Sequence, residues 1–389
     1  MDSAVTICAI HEMKPGRYPG LGPHDIFHAV LNGALSEWSI RPQDIDGLLT
    51  CPGGQASGAT DAYIHERLIA ELGIQPGFAE TISSGGATFA LMVQRASMAI
   101  AAGQANTVLG IGAGKFMKPG AGAAEMMARA ISEEDFEFPY GTFVPALYAL
   151  IAQQFMAERG VTRADLARVA VSARKWALLN PDARMHDQGP ITIGDVMQSR
   201  PIAEPFHYLD CSVPSDGGGA ILVTRADIGK RLSGRPAYVK GYGESHLSGS
   251  ISSTRNLTQT GAVVSGEQAF RRAGLTPADI DVVELYDAFT AAPLLLLENL
   301  GFCERGASGR FVQSGATDPG GSLPMNTNGG LLSFGHTGDA SGMSVLIEGA
   351  RQVMGLAGAN QVRQAENALI HCYGGMMYDH ATLILGSEP

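Results

Sequence analysis

The chain has 389 residues, 45% hydrophobic and 17% charged, with 50 glycines. At about 150 residues per domain this allows two or three domains, a large core and many close turns. The composition excludes a disordered chain, and the net charge of −11 excludes a general nucleic-acid or anionic-membrane surface while leaving room for a local basic pocket.

In chain order, MDSAVTICAIHEMKPGRYPG has an apolar run of only about seven residues with no basic segment before it. That predicts a first β-strand rather than a signal peptide. IRPQDIDGLLT (40–50) predicts a helix end, a proline-led turn and a buried strand. ETISSGGATFALMVQRASMAIAAG (80–103) reads as a strand end, a glycine turn and the start of an apolar helix, a place where enzymes often seat a nucleophile. It holds no cysteine, only the hydroxyls of Ser83, Ser84 and Thr88. Residues 115–205 open rich in Gly, Ala and Met, continue with helical patterns such as PALYALIAQQFMAERG, and end in a long loop. They predict an insertion that covers one face of the core and holds a long ligand. APLLLLENLG (292–301) predicts a core helix, and no run approaches the ~20 residues of a membrane span. Cys8, Cys51, Cys211, Cys303 and Cys372 are odd in number and form no CxxC pair, which suggests neither disulfides nor zinc and fits a reducing cytoplasm.

Three segments recur in the same order. IRPQDIDGLLT has a counterpart in LTPADIDVVEL (275–285), SSGGATF (83–89) in TNGGLLSF (327–334), and NTVLGIGAG (106–114) in NALIHCYGG (367–375). They predict a duplicated α/β unit with a site where the halves meet. The halves are expected at 1–230, which includes the insertion, and 231–389, with the boundary near 225–241.

GGATFAL…ASMAIAAG, CSVPSDGGGAILVT (211–224), VVELYDAF (282–289), NTNGGLLSFGHTG (326–338) and CYGGMM (372–377) stand in an order and spacing that resembles the thiolase superfamily over essentially the whole chain. The sequence looks most like the sterol-carrier-protein-type and bacterial thiolase-like branches. The resemblance implies a five-layered α/β/α/β/α fold, a homodimer, and an acyl-CoA substrate whose pantetheine passes under the inserted loop domain. It implies no cofactor beyond the coenzyme A of the substrate, and no metal. Some thiolase-like proteins without the nucleophile are retro-aldolases that work with a small OB-fold/zinc-ribbon partner.

Departures from the family pattern narrow the chemistry. The position that carries cysteine in ordinary thiolases falls on Gly86, which keeps only a backbone N–H as an oxyanion donor. Ser84 or Thr88 could act as nucleophile only beside a base; helix capping is the alternative role of either. A Gly86→Cys thiol is expected to be reactive at this helix start. His336, in FGHTG, matches the histidine that polarises a thioester oxygen. Tyr286, in YDAF, occupies a position that assists it, and Asp287 orients a neighbour. Ala288 replaces the acid/base cysteine of the sterol-carrier types. Cys372 matches the acid/base of ordinary thiolases, with a thiol that a polarised site would bring into working range, and Gly374 matches the second oxyanion donor; Tyr373 is a secondary candidate. Lys115, Lys118, Arg129, Arg174, Lys175 and Arg184 are the basic residues of the covering segment from which CoA phosphates would draw partners.

Three readings follow: aldol or retro-aldol chemistry on a 3-hydroxyacyl-CoA, which needs no acyl-enzyme; acyl transfer of the acetyl-CoA acetyltransferase or 3-ketoacyl-CoA thiolase type; and a non-catalytic acyl-CoA-binding or accessory subunit.

Overall fold

The segments TFALMVQRASMAIA and SGMSVLIEGARQVM are small or apolar around most of the helical circumference, so neither helix has a wide face to give to water. Both are accordingly buried along nearly their whole length, at the centre of the molecule. A computed structural model describes residues 4–54, 60–116, 122–141, 143–247 and 249–389. Up to residue 114 the order is β1 (Val5–Gly16), α1 (Pro23–Trp38), β2 (Gly47–Thr50), α2 (Ile64–Leu72), β3 (Phe78–Thr81), α3 (Thr88–Ala101) and β4 (Thr107–Gly114). Next come α4 (Ala123–Ile131), α5 (Val144–Arg159), α6 (Arg163–Ala177), α7 (Ile193–Gln198) and the short pair β5 (Pro201–Ala203) and β6 (Phe206–His207). β7 (Asp216–Arg225) returns to the sheet and α8 (Ala226–Leu232) leads out of it. The remainder is β8 (Ala237–His246), α9 (Ala262–Ala273), β9 (Val282–Leu285), α10 (Ala291–Asn299), α11 (Ser308–Gln313), α12 (Gly330–Ser333), α13 (Ser341–Met354), β10 (Asn367–Gly374) and β11 (Asp379–Gly386). No described helix is long and apolar enough to cross a membrane.

Nine strands hydrogen-bond in the order β3-β2-β4-β7-β1-β8-β11-β10-β9. The pairings repeat. β2–β4 is parallel and β4–β7 and β7–β1 antiparallel, while β9–β10 is parallel and β10–β11 and β11–β8 antiparallel. Among the described residues, the two sets of strands pair where Thr6 meets Tyr238 and Ile7 meets Ala237. α3 and α13 contact strands of both sets, α1 packs outside β1, β4 and β7, and α9 packs outside β8 and β11, which makes the layering α/β/α/β/α.

The duplicated Pro-x-Asp-Ile-Asp segments do the same physical work twice. Asp44 and Asp279 accept from the backbone N–H groups of Arg41 and Thr276 and close short turns. Asp46 accepts from Asn106 N at 2.8 Å and Thr107 N at 2.7 Å, and Asp281 from Glu366 N at 2.9 Å and Asn367 N at 2.8 Å. Each carboxylate thereby pins the start of the strand beside its own, β4 or β10. The pairing of SSGGATF with TNGGLLSF is corrected. The turn before α3 (Gly85–Ala87) corresponds to the turn before α13 (Gly338–Ala340), because each of these helices leads to the equivalent strand. TNGGLLSF forms the separate short helix α12. Glycine pairs recur wherever the chain bends tightly, so similar letters did not mark equivalent places.

In the insertion, α6 starts on a capping box in which Thr162 accepts from Asp165 N and Asp165 from Thr162 N. α5 packs on α10, and α6 on α10, α11 and α12.

Asp46→Ala and Asp281→Ala are each expected to lower stability by about 1–3 kcal/mol, since two strand-end N–H groups lose a charged acceptor. Urea midpoints at unchanged m-value measure this, and unchanged midpoints would show that the carboxylates do not hold the strands.

Candidate active site

The motifs meet through backbone and amide hydrogen bonds. Ser212 N donates to Ala288 O at 2.9 Å and Val213 N to Leu331 O at 2.9 Å, while His336 N donates to Val213 O and Ser215 N to His336 O, both at 2.8 Å. The stretch 212–215 therefore fastens YDAF to FGHTG. The Asn326 side chain accepts from Leu285 N at 2.8 Å and donates to Leu285 O at 2.9 Å, standing in for a strand edge. Asn328 Oδ1 accepts from Gly330 N, and Asp287 Oδ1 from Leu331 N at 2.7 Å, so polar side chains hold the start of α12. Asp287 thus holds a backbone N–H of α12. Its other oxygen has no hydrogen-bond partner among the described residues, and burial pushes the carboxyl up to about 7.

His336 and Tyr286 come together as expected. Their Nε2 and Oη atoms are 3.0 Å apart, and Oη is 2.7 Å from Ser341 Oγ at the start of α13. Gly338 N donates to His336 Nδ1 at 3.3 Å, which leaves the ring proton on Nε2. Burial lowers the imidazole to about 4, so it is a neutral donor. Burial also lifts the Tyr286 phenol well above its ordinary range, against the Ser341 hydrogen bond. Phe116 stands over His336 with ring centroids 5.5 Å apart, and Tyr373 meets Tyr286 edge-on at 5.0 Å.

Gly86 lies at this junction, buried in the turn that opens α3. A Cβ there would lie 2.6 Å from Tyr286 Cζ and 2.5 Å from the Tyr373 carbonyl oxygen. The Tyr286 ring occupies the space a nucleophile side chain would need. The expectation that Gly86→Cys yields a reactive thiol is therefore corrected: the new side chain would collide with a ring and a backbone oxygen. Thr88 Oγ1 donates to Gly85 O at 2.7 Å and accepts from Ser84 N at 2.9 Å, so the hydroxyl ties the glycine turn together, and neither Ser84 nor Thr88 caps a helix through its side chain. Gly374 sits against the same turn, where a Cβ would overlap the Ser84 carbonyl oxygen.

Cys372 is fully buried on β10, and the expected lowering of its thiol is corrected. Burial, followed by the carboxyls of Glu284 and Asp287, pushes it well above its ordinary range. Ser341 was missed in the sequence because no local pattern ties it to Tyr286.

The basic residues do not gather around one ligand. Lys115 Nζ donates to the carbonyls of Tyr18 at 2.6 Å and Leu21 at 2.5 Å, and Lys118 lies outside the described residues. Arg129 pairs with Glu125 and lies 4.1 Å from the centroid of the Phe138 ring. Arg174 is buried and donates to Gly189 O, while Lys175 shares Asp318 with Arg168. Arg184 is exposed and acts electrostatically on Tyr18. Arg17, beside Tyr18, is also partly exposed and reaches Asp216 only at 3.4 Å. The sequence reading omitted Arg17 because it lies outside the insertion.

Two outcomes are expected. Gly86→Cys costs about 1–3 kcal/mol by overpacking, and Tyr286→Ala costs less in that background than in the wild type; additive losses in a denaturation cycle would show that ring and side chain do not compete. In ¹⁵N spectra at pH 6, the imidazole that disappears in His336→Gln should be neutral with its proton on Nε2. A protonated ring there would contradict the assigned donor state.

Residues 243–387 match the family described as thiolase C-terminal domain-like. The chain is 35% identical over 373 residues to the 17-hydroxy-3-oxo-4-pregnene-20-carboxyl-CoA lyase of Mycobacterium tuberculosis, covering 92% of each chain. It is 32% identical over 374 residues to an acetyl-CoA acetyltransferase of Methanothermobacter thermautotrophicus, covering 95% of this chain and 96% of the relative. Among solved structures, the Ltp2-ChsH2(DUF35) aldolase superposes with a TM-score of 0.84 at 32% identity, covering 99% of this chain and 98% of the other. Sheet order, motif placement and similarity over nearly the whole length agree, and the chain belongs to the thiolase superfamily.

Proposed function

We propose that this protein is a carbon–carbon lyase that runs aldol-type chemistry on a 3-hydroxyacyl-CoA without an acyl-enzyme. The observation that carries the reading is the Tyr286 ring in the space where a side chain at Gly86 would project. Acyl transfer needs an atom to hold the acyl group, and the structure puts a phenol there instead. Similarity to a CoA lyase and to an aldolase supports the same reading.

In the cleavage direction, the Tyr286 phenol, in its minor ionised form, takes the proton of the 3-hydroxyl. The C2–C3 bond breaks and its electron pair passes into the thioester as an enolate. The phenol then returns the proton to C2, so the products are a carbonyl compound and a shortened acyl-CoA. The neutral His336 Nε2–H, 3.0 Å from Oη, stabilises the phenolate. The backbone N–H groups of Gly86, at a helix start, and of Gly374 serve the enolate oxygen. Burial raises both the Tyr286 phenol and the Cys372 thiol, so the proton-transfer role is assigned by their partners: Ser341 and His336 hydrogen-bond the phenol oxygen, whereas the carboxyls of Glu284 and Asp287 further disfavour a Cys372 thiolate. Arg17 and Arg184, near Tyr18, are the proposed phosphate partners of CoA. A homodimer and a second subunit complete the proposed assembly, the latter by analogy with the two-component Ltp2-ChsH2(DUF35) aldolase.

Turnover of a 3-hydroxyacyl-CoA with no acyl adduct on residues 80–90 by mass spectrometry is the expected result. Tyr286→Phe and His336→Ala should each lower turnover by roughly 10²-fold, since each removes a group used at the transition state. A stable acyl adduct on Ser83, Ser84 or Thr88 with turnover would select acyl transfer; no turnover with tight acyl-CoA binding would select an accessory subunit.

A further inference from the structure

Ser341 is the first residue of α13 and only 2% exposed, and among the described residues its hydroxyl hydrogen-bonds Tyr286 Oη. The polarity of this contact follows from its neighbours. Gly338 N–H fills the Nδ1 lone pair of His336, so Nε2 carries the proton and donates to Tyr286 Oη. One Oη lone pair is then occupied, and the phenolic proton points along the 2.7 Å contact to Ser341 Oγ. The second lone pair of Oη is left to receive a proton.

We infer that Ser341 is a positioning residue for Tyr286: it aims the phenolic proton away from the substrate, and when the phenol is ionised it turns its own O–H to donate to the phenolate. This rests on the reading of Tyr286 as the proton-transfer group. Two further features of α13 suit the role. Its 14 residues bring the positive end of a helix dipole to the phenolate oxygen. Its next residue, Gly342, packs so closely that a Cβ there would overlap the Gly86 carbonyl oxygen, which fixes the helix start relative to the turn. The Ser341 hydrogen bond also acts to lower the phenol's pKa against burial.

The other titratable groups that face Tyr286 are His336, Asp287, Cys372, Tyr373, Tyr148 and Asp339. None changes in a Ser341 variant, so a difference in pH profile isolates the serine. The test is kcat and KM for a 3-hydroxyacyl-CoA from pH 6 to 10, on the full chain with any subunit that co-purifies, in Ser341→Ala, Ser341→Thr and Tyr286→Phe. Folding is checked by near-ultraviolet circular dichroism.

Losing a donor to the phenolate raises the phenol's pKa, which already lies above the range measured, so the rising Ser341→Ala profile should be displaced downward in parallel with the wild type. Its kcat at pH 7 should fall about tenfold or more with KM kept, and Ser341→Thr should restore both. An Ala variant whose profile and kcat match the wild type, alongside an inactive Tyr286→Phe, would overturn the role of Ser341 and leave the reaction standing. A loss of kcat that Ser341→Thr does not restore, or one accompanied by a raised KM, would also overturn it, as a structural effect only. Full turnover by Tyr286→Phe would instead remove the proton-transfer reading on which the inference rests.

Discussion

The structure depends on how closely backbone is packed around Gly86. One side of this residue abuts the start of α13 through Gly342, and the other meets the Tyr286 ring and the Tyr373 carbonyl. Both central helices therefore begin at one point, and loops from both sets of strands converge there. The same crowding makes a side chain at position 86 and a phenol at position 286 compete for one volume. Close-packed interiors allow one or the other. The proposed tyrosine-based site is thus a steric alternative to one with a cysteine at position 86.

Behind the site, charged groups in the core tie the two sets of strands together. Arg351 on α13 donates to Glu12 on β1 at 2.8 Å and to Glu348 at 2.7 Å. Thr327 donates to Glu348 at 2.6 Å and is 2.8 Å from Glu284 on β9, two residues before Tyr286. A buried ionic network of this kind adds little net stability, because desolvation offsets the attraction. Its plainer effect is geometric: only one register of β1, α13 and β9 pairs every group. That register also sets where the phenol stands. Burial leaves His336 neutral and raises the Tyr286 phenol and the Cys372 thiol, so the resting site holds oriented neutral groups rather than fixed charge.

Within the covering segment, the basic residues serve mainly as structural ties. Lys115 satisfies two loop carbonyls, and Arg168 and Lys175 anchor α6 to Asp318. In an acidic chain most cations find local partners; of those near Tyr18, Arg17 reaches Asp216 at 3.4 Å and Arg184 is exposed.

The sequence by itself determined the strand-and-turn repeats, the apolar central helices and the motif order. These are written in local patterns: proline-led turns, aspartates two residues apart, and runs without a polar face. It also determined that no cysteine stands in the nucleophile segment, and it brought out His336 and Tyr286 through their motifs. Tertiary structure alone decided that Tyr286, 200 positions away, fills the space beside Gly86, that Ser341 completes its hydrogen bonding, and that Cys372 is held protonated. It also decided that Arg174 is buried and Arg17 is not. Those facts depend on which distant groups share a volume and how much water reaches them, and neither is encoded in the spacing of residues along the chain.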